Sequence, residues 1–123
     1  MNTAVTSPWP TELKFSKAER MLTISFDDGS SYKLPAEYLR VESPSAEVQG
    51  HGVSQRQTVA GKRNVGVARM DPVGLYAVRI VFDDGHDTGL FSWTYLQQLG
   101  REHATRWADY ERRLAAARLT RDT

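Results

Sequence analysis

Between Tyr76 and Phe82 apolar residues take alternate places at Tyr76, Val78, Ile80 and Phe82. Ala77 and Val81 lie on the opposite face, with Arg79 between them. Period-two alternation rich in β-branched residues predicts a strand, and two partly apolar faces place it centrally in a sheet. Asp84-Gly85 follows, a pair that tolerates the positive φ of a tight hairpin turn. Leu90 and Phe91 then resume an apolar return strand. Ser92 is placed to cap a helix on which Trp93, Leu96 and Leu99 keep helical spacing, with Gly100 expected just past its end.

Residues 22–39 carry a fainter copy of this pattern. Phe26-Asp27-Asp28-Gly29 matches Phe82-Asp83-Asp84-Gly85, Leu34 matches Leu90, and Tyr38-Leu39 matches Tyr95-Leu96 after one insertion. A strand over Leu22–Phe26, a partner over Ser31–Leu34 and a short helical turn over Pro35–Arg40, with Pro35 in its first position, are expected. A true repeat and convergence on a common hairpin–helix unit both account for the likeness.

The remaining pattern sets the boundaries. Residues 1–10 read as a loose lead-in with Trp9 at a sheet edge, Glu12–Phe15 as a first strand, and Lys17–Arg20 as a turn. Val41–Gly74 is rich in glycine and polar residues; a structureless loop of that length is uncommon, so Val65–Met70 is expected as a strand, with Asp71–Gly74 turning into the central one. Glu102–Leu119 is expected as a helix with Trp107, Tyr110, Leu114 and Arg118 on one face, and 120–123 as a frayed tail. The fold class is α+β: a mainly antiparallel sheet with two hairpins, a short helix after each, and a C-terminal amphipathic helix. One domain over 11–100 carries the helix of 101–119.

Composition narrows the chemistry. A chain of 123 residues is one domain by length. Its net charge of +1 gives no global case for binding nucleic acid or a membrane. It has no cysteine, which excludes disulfides, thiolate metal ligands and a cysteine nucleophile, and fits a reducing, cytoplasmic setting. No apolar run is long enough to span a bilayer, and residues 1–10 hold no signal-peptide core.

The paired carboxylates Asp27-Asp28 and Asp83-Asp84 precede glycines at hairpin tips, so turn chemistry explains them better than acid–base catalysis. Gly61-Lys62 lacks the rest of a phosphate-binding loop. His51, His86 and His103 fit neither the zinc-protease nor the facial-triad spacing, and no Gly-x-Ser-x-Gly elbow is present. His51, Arg56, Lys62 and Arg63 make one glycine-rich loop locally basic, which suits a solvated loop or a site for a phosphate or carboxylate.

Leu39-Arg40, Glu47-Val48-Gln49-Gly50-His51-Gly52, Pro72-Val73-Gly74, Tyr76-Ala77-Val78, Asp84-Gly85-His86 and Trp93-x-x-Leu96, in this order and spacing, resemble the gamma-butyrobetaine-hydroxylase-like N-terminal domain. The resemblance runs from about Trp9 to Gly100, and the Trp107/Tyr110 helix is similar to the extension of small stand-alone bacterial members. It implies an α+β domain. In eukaryotic hydroxylases a related domain precedes an iron- and 2-oxoglutarate-dependent catalytic domain and holds a structural zinc through three cysteines and a later histidine. Other members are fused to Mrp-type P-loop ATPases that carry iron–sulfur clusters. Carried over, the three cysteine positions fall on Ser43, Ser45 and Val48, and the histidine on His86. The resemblance therefore implies a zinc-free version of the site, with His86 as a turn residue hydrogen-bonded to the Ser43–Ser45 loop.

The favoured reading is a non-enzymatic binding or adaptor domain without a cofactor, a monomer or weak oligomer with a protein partner. Its link to iron–sulfur metabolism rests on family fusion alone. One alternative is an anion-binding protein or enzyme using His51, Arg56, Lys62, Arg63 and His86. The other is a subunit docking through Trp107, Tyr110 and Leu114.

Overall fold

The computed structural model describes residues 8–49 and 57–122. Among these residues, two three-stranded antiparallel sheets and four helices form an α+β fold. The first sheet joins β1 (Pro10–Ser16), β2 (Met21–Phe26) and β3 (Ser31–Pro35), followed by helix α1 (Ala36–Val41) and the single-turn α2 (Ala46–Gln49). The second joins β4 (Val67–Val73), β5 (Ala77–Phe82) and β6 (Leu90–Ser92), followed by α3 (Trp93–Arg101) and α4 (His103–Ala116). Both sheets are simple meanders with the middle strand at the centre.

The alternation read in the sequence is what builds the core. Leu22, Ile24 and Phe26 of β2 and Val78, Ile80 and Phe82 of β5 point inward and are buried. They meet Leu34, Tyr38, Leu39, Phe91, Leu96 and Leu99 in one apolar cluster. Each such side chain contributes roughly 1.5–3 kcal/mol by leaving water. A second cluster, Val41, Tyr110 and Leu114 with Val59, Ala60 and Trp107, fastens α4.

The two halves are built alike. Leu22 pairs with Leu34 in the first sheet and Val78 with Phe91 in the second. Each first strand is irregular at the equivalent place: between Pro10 and Glu12 where it meets Phe26, and between Val67 and Arg69 where it meets Phe82. The faint sequence copy thus corresponds to a repeated strand–strand–strand–helix plan.

Several boundaries differ from those expected. Strand β1 begins at Pro10, and Trp9 joins the sheet by its backbone, accepting from Asp27 N at 2.9 Å, while its side chain is largely exposed. Strand β4 runs on through Asp71-Pro72-Val73, because these residues pair with Arg79, Val78 and Ala77. Proline is tolerated there because β4 is an edge strand. The turn is Gly74-Leu75-Tyr76, with Gly74 at φ +60°, so Tyr76 lies outside β5 and is 64% exposed. Pro35 precedes α1 as its cap residue instead of opening it. Gly100 lies inside α3, where a Cβ would overlap the Tyr32 ring: packing, not a helix end, sets it. Glu102 alone separates α3 from α4, and α4 stops at Ala116, short of Leu119, before Arg118 at φ +58°.

Candidate functional site

The β5–β6 hairpin tip carries His86 into the protein. Gly85, at φ +94°, lets the chain turn so that Phe82 N donates to His86 O at 3.0 Å. Asp84 Oδ1 accepts from His86 N at 3.0 Å and closes the turn. The imidazole is buried, with its ring centroid 6.0 Å from that of Phe82. Its Nε2 lies 2.9 Å from Ser43 Oγ, and its Nδ1 lies 3.4 Å from Glu47 Oε2. Beside this pair, Ser45 Oγ and Thr88 Oγ1 are 2.7 Å apart, and Thr88 Oγ1 donates to Glu47 Oε1 at 3.2 Å. Val48 is buried close by in sequence, on α2.

Burial, followed by the nearby Arg40 charge, lowers the His86 pKa, while Glu47 and Asp84 oppose the shift. With its proton on Nδ1, the neutral ring presents that N–H to Glu47 and accepts at Nε2 from the Ser43 hydroxyl. Ser43 Oγ in turn accepts from Ser45 N at 3.3 Å. The order serine–histidine–carboxylate is that of a hydrolase triad. Ser43, however, is fully buried, and Gly89 lies so close that a Cβ there would come within 2.5 Å of its Oγ. A substrate carbonyl has no approach to this hydroxyl. What the geometry does is fasten the α1–α2 loop to the hairpin.

The basic residues singled out from sequence are divided. His51 and Arg56 lie outside the described residues. Lys62 Nζ meets Asp84 Oδ2 at 2.6 Å, where Arg40 Nε also donates at 2.8 Å. Burial works against ionising Asp84, but Lys62, the His86 N–H and Arg40 together hold its pKa down to about 2. Arg63 forms a two-pronged pair with Asp122. Lys62 and Arg63 therefore each face a carboxylate of the same chain, and His86 faces the hydroxyl loop rather than either of them.

On α4, Tyr110 and Leu114 are buried against Val41, and the Tyr110 hydroxyl donates to Val59 O. Trp107 is half-buried between the rings of Tyr38 and Tyr110, with the Arg121 guanidinium 5.2 Å from its centroid. Charge pairs add to this seam. Buried Glu42 accepts from Arg106 Nη1 at 2.8 Å and lies 3.8 Å from Arg113 Nη2, while Glu37 receives Arg121 through two bonds at 2.8 and 2.6 Å.

One exposed feature escaped the sequence reading. Leu75, Tyr76 and Leu90 are 66%, 64% and 48% exposed at the turn and edge of the second sheet. Leu90 pairs with Arg79 on the outer face, next to inward-facing Phe91. Reading Tyr76 as an inward strand residue concealed this surface. The Gly74-Leu75-Tyr76 run was the available signal.

A model of the family described as gamma-butyrobetaine hydroxylase-like, N-terminal, matches residues 13–97. A protein with an NMR solution structure is 47% identical, covering 95% of this chain and 92% of that one, with a TM-score of 0.83. A second NMR solution structure, also 47% identical, covers 98% of this chain and 90% of that one at a TM-score of 0.82. A crystal structure of a protein with unknown function, of the DUF971 family from Acidithiobacillus ferrooxidans, is 40% identical over 74% of this chain and 91% of its own, with a TM-score of 0.63. No curated protein matches the chain.

Proposed function

Because the chain belongs to the gamma-butyrobetaine hydroxylase-like N-terminal family, we propose that it is a small cytoplasmic binding or adaptor domain that works through a protein partner and without zinc. The observation that carries the adaptor reading is the set of exposed apolar side chains at the β4–β5 turn and on β6. Leu75, Tyr76 and Leu90 stand exposed there in a chain whose other large apolar side chains mostly face its own core. Where exposed aromatic and aliphatic side chains join in one patch, they mark a surface that exchanges water for a partner. No helix among the described residues is long and apolar enough to cross a membrane.

The zinc-free reading is supported by the donor set. Ser43 and Ser45 offer hydroxyls and Val48 an isopropyl group, and His86 Nε2 is already engaged by Ser43. Structural zinc sites are typically closed tetrahedra of cysteine thiolates and histidine nitrogens. Elemental analysis of purified protein should find essentially no zinc; about one zinc per chain after mild chelation would refute this. A tie to iron–sulfur cluster metabolism draws only on the domain fusions of other family members.

The adaptor reading is tested with a Tyr76→Ser/Leu90→Ser double variant. Both sites are exposed, so its melting temperature should stay within a few degrees of wild type. Crosslinking and capture in the native host should recover a defined partner with wild type and lose it with the variant. Recovery of the same protein at the same level with both forms would sink the reading.

A further inference from the structure

A second region of the molecule belongs to neither the His86 latch nor the exposed apolar side chains at the β4–β5 turn and on β6. A cleft of about 390 Å³ lies between the β1–β2 turn and the start of β4, lined by Phe15, Lys17, Arg20, Asn64, Val67 and Asp83 among others. Its size falls in the range of small-molecule sites. We propose that this cleft binds a metabolite-sized monocarboxylate with an apolar body, its carboxylate held by Arg20, Lys17 and Asn64.

Two cations, Lys17 and Arg20, line it. Lys62, Arg63, Arg106 and Arg121 each lie against a carboxylate of the chain. Among the described residues, Lys17 and Arg20, like Lys14, Lys33, Arg79, Arg101 and Arg118, enter no ion pair, and these two line the cleft together with Asp83. Among the described residues, the Arg20 guanidinium makes its hydrogen bond through Nη1, which donates to Asn64 Oδ1 at 3.2 Å. Its Nε/Nη2 edge thus retains the flat two-pronged donor geometry that matches a carboxylate. Because Asn64 accepts through its oxygen, its amide NH2 is left to donate to the same anion.

Arg20 is also held in position. Its carbonyl accepts from Ala36 N at 2.9 Å, and its φ of +52° is one that glycine adopts at least cost. An arginine there accepts a backbone penalty in a turn where its side chain reaches the cleft.

Asp83 sets the charge of the ligand. Its Oδ1 accepts from Gly66 N at 3.0 Å, which keeps the carboxylate at the cleft wall. Two cations and one fixed anion favour a guest with a single negative charge, because a second would face Asp83. Phe15 and Val67 supply apolar wall against which a short hydrocarbon or aromatic body can pack. This site is independent of the partner surface at Tyr76 and Leu90.

The test is an amide-resolved NMR titration of the full chain with benzoate and, separately, inorganic phosphate. Benzoate should give saturable shifts at Lys17, Arg20, Asn64 and Gly66, and phosphate should bind more weakly. Arg20→Gly suits the positive φ, so it should fold with an unchanged melting temperature and weaken benzoate about 10- to 100-fold, the loss expected for a charge-assisted contact. Asp83→Asn keeps an oxygen acceptor for Gly66 N and should raise the affinity for phosphate. The proposal is overturned if benzoate gives no saturable shift, if Arg20→Gly binds it as wild type does, or if phosphate binds wild type as tightly as benzoate.

Discussion

Replacing Glu42 with alanine should destabilise the protein by about 3–5 kcal/mol, the range for breaking a buried charge pair from one side. The Glu42 side chain is 1% exposed and holds Arg106 at 2.8 Å, with Arg113 at 3.8 Å. Truncation removes the acceptor but leaves two half-buried guanidiniums behind. Arg106 keeps Glu102, which is near the surface, and the Tyr95 ring, and Arg113 keeps Asp109 and the Tyr110 ring. The lost carboxylate also sits where α1 ends, so the seam between α1 and α4 loosens at its middle. Urea unfolding followed by circular dichroism gives the number directly. A drop in melting temperature of roughly 10–25 °C corresponds to it for a domain of this size. A change below about 1 kcal/mol would mean that Glu42 contributes no more than a surface pair does.

Trp107→Ala should cost about 3 kcal/mol, near the low end of the range for a large aromatic in a core. Trp107 is the residue shared by both apolar clusters. Its ring meets Tyr38 edge-on at 6.3 Å and Tyr110 at 5.1 Å, with Arg121 over its face at 5.2 Å. Removing it opens a gap between α1 and α4 and strips the cation of its aromatic partner. Partial exposure keeps the loss below that of a fully enclosed tryptophan. Equilibrium unfolding of the variant checks it. A loss under about 0.5 kcal/mol is surface behaviour, and it would shift the case toward α4 as the docking element.

The hairpins were legible because period-two alternation and Asp-Gly turns act locally, and both survive in the sheets. What was not legible depended on partners remote in sequence. Asp71-Pro72-Val73 resembles a turn by itself, and only pairing with β5 extends it as strand. Gly100 resembles a helix terminator until Tyr32 packs where its side chain would be. Lys62 and Arg63 read as free cations because Asp84 and Asp122 stand elsewhere in the chain. The neighbourhood of Ser43 and His86 was visible only through the family resemblance, since no local pattern joins a loop after α1 to a distant hairpin. Lys17 and Arg20 looked like ordinary turn residues, and it is the fold that sets Asn64 and Asp83 beside them.

The doubled plan has a consequence for how the chain reaches this state. Within each meander, strands pair with their immediate neighbours in sequence, so those contacts close short loops and form early at little entropic cost. The interactions that join the halves are of another kind: Tyr38 OH donating to Leu99 O at 2.7 Å, Gln97 Nε2 to Asp28 Oδ2 at 3.0 Å, Ser43 against His86. Each spans a long separation and closes a large loop, as does the shared apolar cluster. Docking rather than strand pairing is the slow step expected from this plan. Substitutions at the seam should act mainly on how fast the native state comes apart, and those inside either meander on how fast it assembles.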